Sequence, residues 1–190
     1  VGGKLFVVSA PSGCGKTTLC KKLLKDDPGL VPSLSMTTRP ARRGERDRAD
    51  YRFVSRRVFQ EKAKKKGFLE YEENFGHLYG TPRDLVEKNL AAGRPVLLSI
   101  DVKGAMKVRR VYPGSSVLIF IMPPSVSELK KRLEARHSDD SASIRARLAI
   151  AKREMAYRPR YDYVVVNDSL EGAYKRLKRI IKTELESKGA

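Results

Sequence analysis

The residues with the most chemical content lie near the start of the chain, in Ala10-Pro11-Ser12-Gly13-Cys14-Gly15-Lys16-Thr17-Thr18. Ala10 to Thr17 fits the phosphate-loop pattern G-x-x-x-x-G-K-[ST] at every fixed position but the first, where Ala10 replaces glycine. Alanine suffices there if its φ stays negative. Glycine reaches backbone angles closed to other residues, so Gly13 and Gly15 let successive N–H groups turn inward around an anion. The helix that follows adds its positive end at the same spot. Lys16 is expected to reach the β- and γ-phosphates of ATP, and the Thr17 hydroxyl to hold Mg2+. The competing reading is a plain glycine-rich turn from strand to helix.

These residues need elements to hold them. Lys4 to Ser9 is a continuous apolar run, as expected of a strand covered on both faces. Thr17 to Lys25 places Leu19, Leu23 and Leu24 on one side of a helix. A strand, a phosphate loop and a helix in that order imply a parallel, doubly wound α/β sheet of the P-loop NTPase type. From about residue 33 to 93 the character changes to short strands and short helices, which predicts an α+β insertion. Within it, strands are expected at Tyr51–Val54 and Phe68–Glu73. Ser55 should cap a helix that Gly67 closes, and Thr81-Pro82 should open another. Pro95–Ile100, Ser116–Met122 and Tyr163–Val166 read as further core strands. Ser125 caps a helix reaching Arg136, Ser143 to Tyr157 reads as the next helix, and an amphipathic helix ends near Leu185. The expected division is a core of residues 1–32, 94–125 and 156–190, the insertion 33–93, and a helical lid 126–155. Hinges are expected at Val31–Ser33 and Gly93–Pro95.

Bulk properties narrow the function classes. The chain has 190 residues and a 41% hydrophobic share, which suits one domain or one core carrying an insertion. No apolar run approaches a membrane span, and no signal-peptide pattern opens the sequence. Cys14 and Cys20 are the only cysteines, which fits a reducing cytoplasm and no structural disulfide. Forty Lys and Arg against 22 Asp and Glu leave a net charge of +18. Such a surface attracts anions. No aromatic-rich RNA-binding motif or helix-turn-helix accompanies it, so no specific nucleic-acid partner is expected. His77 and His137 sit in no nucleophile–base pattern. Phosphoryl transfer to an acceptor that is already an anionic phosphate needs no such base, only positioning and charge stabilisation. Arginine suits that work because its planar fork pairs bidentately with phosphate.

The stretch after the phosphate loop points to a substrate. Ser35-Met36-Thr37-Thr38-Arg39-Pro40-Ala41-Arg42, Gly44-Glu45 and Asp50-Tyr51-Arg52-Phe53-Val54 resemble the nucleoside-monophosphate-binding signature of the guanylate kinase family. Phe68-Leu69-Glu70-Tyr71, Tyr79-Gly80-Thr81, Asp101-Val102-Lys103-Gly104, Leu133-Glu134-Ala135-Arg136, Arg147-Leu148, Glu154-Met155-Ala156-Tyr157 and Val166-Asn167-Asp168 follow in that family's order. The resemblance covers essentially the whole chain. It implies Mg2+-dependent transfer of the γ-phosphoryl of ATP to GMP, with dGMP as a second acceptor. A monomer is expected, with a dimer left open. By the same resemblance Arg39, Arg42, Tyr51 and Tyr79 would hold the GMP phosphate, and Ser35, Glu70 and Thr81 would read the guanine with Asp101 nearby. Arg132, Arg136 and Arg147 would be catalytic lid arginines alongside Lys16, with Arg136 also on ATP. Asn167 and Asp168 would sit beside the adenine. Two positions depart from the family pattern: Ser99, where an acidic residue is common, and Lys103, where glutamine is.

Other readings of these residues stay open. Arg132 divides between lid chemistry and plain helix surface, and Asp101 between substrate contact and a helix cap. Tyr51 and Tyr79 could be packing aromatics, and Cys14 a small loop residue or a reactive thiol. At the level of the whole chain, the rivals are a non-enzymatic interaction module on the same fold and a kinase for another phosphate-bearing acceptor. Lys16, Thr17, Arg136 and Arg147 argue against the first, and Glu70 with Ser35 and Thr81 against the second.

Overall fold

The computed structural model describes residues 2–74, 76–135 and 141–187. Strand β1 (Leu5–Ser9) is the centre of a five-stranded sheet with order β2-β7-β1-β8-β9. Its partners are β2 (Val31–Pro32), β7 (Val96–Ser99), β8 (Ser116–Met122) and β9 (Tyr163–Val166), all paired in parallel. The side chains alternate between two apolar layers. Phe6, Val8, Val117, Ile119, Ile121 and Val165 enter one. Leu5, Val7, Leu98, Leu118 and Phe120 enter the other. Both faces are therefore buried, as the unbroken apolar runs require.

Helices cover each face. On the first lie α1 (Lys16–Asp26), through Leu19 and Leu23, and α7 (Leu170–Glu186), through Ala173, Leu177 and Ile181. The same layer takes Leu129 and Leu133 of α5 (Val126–Glu134) and Ala151 of α6 (Ser141–Met155). On the second face lie α3 (Arg83–Ala91), through Val86 and Leu90, and α4 (Val102–Val111), through Ala105 and Val108. Helices on both sides make the sheet doubly wound. Ser55 caps α2 (Arg56–Lys64), Ser125 caps α5 and Ser169 caps α7, each side chain accepting from a backbone N–H three residues on.

A second sheet of four strands has order β4-β3-β6-β5, built from β3 (Met36–Thr37), β4 (Arg52–Phe53), β5 (Phe68–Asn74) and β6 (His77–Pro82). Its own small core is Met36, Phe59, Phe68 and Leu78. Several boundaries differ from the sequence expectation. Thr81 and Pro82 finish a strand instead of opening a helix, because they pair with β5. Lys66, at φ 54°, takes the left-handed position after α2 that Gly67 was expected to fill. Val31 and Ser33 are hydrogen-bonded to Pro95 and Leu97, so the expected hinge at Val31–Ser33 is fixed into the core sheet.

Candidate active site

The carboxyl ends of β1 and β7 open into a cleft of about 530 Å3. One wall is the phosphate loop from Ala10 to Thr18. Gly13 and Gly15 have φ of 92° and 82°, the left-handed angles that the nest requires. Gly15 has a second constraint. A Cβ there would lie 2.5 Å from Nδ2 of Asn167, and that amide donates to the Cys14 carbonyl at 2.8 Å. Asn167, expected beside the adenine, is thus buried and holds the phosphate loop in shape. Asp168 is exposed, pairs with Arg176 and accepts from its neighbour's N–H at Ser169. The Cys14 N–H donates to Pro11 at 3.2 Å, so this one amide of the loop serves the turn itself.

Lys16 lies under the loop and donates to the Ile100 carbonyl at 2.8 Å. Burial lowers its pKa, partly offset by Cys20, Asp101, Glu154 and Glu70. Cys20 sits beside it and beside Ser99, and burial pushes its thiol up to about 11. Such a thiol is inert at neutral pH. Thr17 and Thr18 are exposed at the first turn of α1, facing the cleft.

The opposite wall comes from the small sheet. Glu70 is 7% exposed and lines the cleft. The register of β5 on β6 shifts between Phe68 and Glu70, an irregularity that turns Leu69 into the main core and aims Glu70 at the cleft. Thr81, its cross-strand partner, donates to Glu70 Oε1 at 2.5 Å. Thr81 is fully buried and lies behind the carboxylate, where its hydroxyl proton is already committed. Thr81, expected to read the base, here holds Glu70. Gly104, in the first turn of α4, makes room: a Cβ would sit 2.7 Å from Glu70 Oε2. Burial, the nearby Asp101 and Glu72 outweigh the Thr81 and Lys107 contributions and push Glu70 up to about 7.

Ser35, Arg42, Tyr51 and Tyr79 line the same cleft. Arg39 lies one layer back, in an adjoining hollow. Its Nη2 donates to both oxygens of Glu45 at 2.9 and 3.0 Å, and its Nε to the Tyr79 hydroxyl at 3.2 Å. Tyr51 and Tyr79 meet edge to face at 6.2 Å. Asp101 does what the sequence left open: its Oδ1 caps α4 by accepting from Gly104 N–H at 2.8 Å. Its Oδ2 accepts from Asn74 at 2.8 Å. Ser99 lines the cleft, whereas Lys103 is exposed.

The arginines of the expected lid separate. Arg147 lines the cleft. Arg132 is not among the residues lining the cleft and donates to Glu128 along α5 at 3.1 Å. Arg136 lies outside the described residues. Sequence reasoning gave no role to Asn74, Glu45 or Glu154, which the structure brings to the site. Glu45 and Glu154 stand inside quoted motifs, so a signal existed for them, while Asn74 has none.

A phosphate loop facing an arginine-and-tyrosine wall across one cleft defines a P-loop phosphotransferase whose acceptor also carries phosphate. A family model described as guanylate kinase matches residues 2–184. A guanylate kinase of Thermus thermophilus is 48% identical over 187 residues, covering 98% of this chain and 84% of that protein. One from Wolbachia pipientis is 45% identical over 182 residues, covering 96% and 90%. The crystal structure of guanylate kinase from Anaplasma phagocytophilum superposes with a TM-score of 0.82 at 38% identity, covering 96% of this chain and 86% of that one. The chain belongs to the guanylate kinase family, and it is an ATP:GMP phosphotransferase.

Proposed function

We propose that the chain passes the γ-phosphoryl group of ATP to GMP and to dGMP, with Mg2+ and as a monomer in the cytoplasm. One observation carries the reading. Glu70, an acceptor-only carboxylate when ionised, faces the same cleft as the phosphate loop. Guanine presents two adjacent donors, N1–H and the 2-amino group, which a carboxylate can accept together. Adenine offers a lone pair at N1 and has no 2-amino group. Arg42, Tyr51 and Tyr79 on this wall suit the acceptor phosphate, with Arg39 behind them. dGMP presents the same base and the same phosphate to these residues, so it is taken as well as GMP.

The reaction then needs little beyond placement. The acceptor phosphate is already an anion and attacks without a base. Lys16 and Arg147 neutralise charge on the donor phosphates, and the loop N–H groups fix their direction. Thr17, exposed at the cleft, and Ser99, which lines the same cleft, offer hard oxygen donors of the kind Mg2+ accepts while keeping several waters. Bound there, the ion would neutralise phosphate charge. Two buried free thiols suit a reducing compartment, and among the described residues no helix is long and apolar enough to cross a membrane.

A coupled assay of ADP release with GMP, dGMP, AMP, CMP, UMP and dTMP tests this. Turnover with GMP and dGMP is expected, and AMP should be slower by roughly 10⁴-fold in kcat/KM. Equal turnover with AMP would remove the assignment of Glu70 as the base reader.

A further inference from the structure

Glu154 has no part in the mechanism above, yet it lines the cleft together with Arg147 and Ile150 on one stripe of α6. Its carboxylate lies beside the Ser12 backbone N–H of the phosphate loop, with Lys16 and Asp101 close by. Its Oε2 is shielded from solvent and has no hydrogen-bond partner. Tyr161, whose hydroxyl is likewise buried, faces the same spot next to Ser9. An unpartnered carboxylate oxygen beside a phosphate-binding loop is costly unless some bound state uses it.

The side chain cannot easily withdraw. Ala151, one turn earlier, is 1% exposed in the core layer, and Leu148 packs on the same layer. Met155 and Tyr157 pack on the layer across the sheet. This last turn of α6 is anchored on both sides of the point where the carboxylate enters the cleft.

The groups facing Glu154 are Lys16 from α1, Asp101 from the β7–α4 junction, the Ser12 N–H from the loop, and Tyr161 from the segment before β9. Lys16 and the Ser12 N–H favour its charged form, while burial and Asp101 oppose it, and the balance puts it at about 7. A triphosphate in the loop takes Lys16 and the loop N–H groups for itself and adds several negative charges. All three changes act in one direction.

We propose that Glu154 binds ATP as a neutral acid: the carboxylate takes one proton from solvent as the triphosphate enters, and Oε2 becomes an O–H donor to a phosphate oxygen. No bond other than this O–H forms, and the proton returns to solvent when the nucleotide leaves. Before binding, the carboxylate fills part of the anion site. Afterwards it contributes a hydrogen bond without a charge. The proposal rests on the reading of ATP as donor.

The test is calorimetry of ATP binding with EDTA and without GMP, in two buffers of different ionisation enthalpy near pH 8, where free ATP is fully ionised. The protein is expected to take up most of one proton per ATP. Its ATP affinity should fall several-fold from about pH 7.5 to about pH 8.5, approaching tenfold per unit for a one-proton step. Glu154→Gln keeps the shape and keeps Lys16, and should abolish most of the uptake and flatten the pH dependence. Unchanged GMP affinity in that variant shows it is folded. A second readout needs no variant: with carboxyl-labelled glutamate, ATP should produce an infrared band of a protonated acid in the unsubstituted protein. Equal uptake in both proteins, or no acid band, overturns the proposal. Absence of any ATP binding by the unsubstituted protein would instead overturn the donor assignment.

Discussion

At the scale of the residue, Glu70 carries two opposed demands. Reading guanine requires the ionised form, while burial favours the neutral one. Its folded pKa, about 7, lies above the ordinary value of 4.5. The folded state therefore holds more protons than the unfolded chain between those values, and stability falls as pH rises through that window. The cost at about pH 8 is on the order of 3 kcal/mol before any relaxation. Glu70→Gln should leave the melting temperature near that of the unsubstituted protein at about pH 5 and raise it at about pH 8. The same change should lower kcat/KM for GMP by about 2–4 kcal/mol, since an amide cannot accept both guanine donors. Melting curves at both pH values and kinetics with GMP and AMP check the pair of outcomes. A variant that melts lower at high pH, or keeps the GMP/AMP ratio, contradicts this account. Glu70 was legible in the sequence because its motif surrounds it. What the sequence did not show is the contact between Thr81 and Glu70, a consequence of strand pairing that spacing alone does not reveal.

At the scale of the element, the helix α4 does more than bridge two strands. Asp101 caps it, and its first turn carries Gly104 against Glu70. Glycine within a helix costs about 1 kcal/mol relative to alanine, so its presence here marks a close approach. Gly104→Ala should keep or raise the melting temperature through helix propensity, yet push Glu70 off its line. We expect kcat/KM for GMP to fall at least roughly tenfold, which is what a displacement near 1 Å in a positioned group costs. If activity held while the protein melted lower, the contact would be packing only. Elements were legible where a local signal sets them: the phosphate loop, the apolar core strands, and the serine caps at Ser55 and Ser125. Two others were not. His77–Pro82 is a strand only because β5 and β3 flank it, and Val31–Pro32 joins the core sheet through β7. Asn74 meets Asp101 across 27 residues, and Asn167 meets the loop across 153. Such contacts belong to the tertiary fold, so no window of sequence contains them.

At the scale of the molecule, the two sheets face each other across the cleft and are joined unequally. On one side β5 lies along α4, where Leu69 enters the main apolar layer and Asn74 donates to Asp101 at 2.8 Å. On the other side Lys21, itself exposed, pairs with Asp50. Such a pair contributes about 0–1 kcal/mol. The small sheet is therefore held firmly along α4 and loosely on the side of Arg42 and Tyr51. Phosphoryl transfer must exclude water, or ATP would be hydrolysed instead. Closure is then expected to rotate the small sheet about its contact with α4, carrying the arginine wall toward the phosphate loop. Val31 and Ser33 are bonded into the core sheet, and Val86 and Leu90 of α3 belong to its apolar layer. The pivots accordingly move inward from the positions the prolines and glycines suggested, to Leu34–Ser35 and the junction of Pro82 with Arg83. Solution scattering should show a smaller radius of gyration with a bisubstrate analogue than without it. Lys21→Ala should change stability by no more than about 0.5 kcal/mol and leave that contraction intact. Asn74→Ala, which loosens the firm side, should raise KM for GMP. Identical scattering profiles with and without the analogue, or a contraction lost in Lys21→Ala, would place the pivot elsewhere.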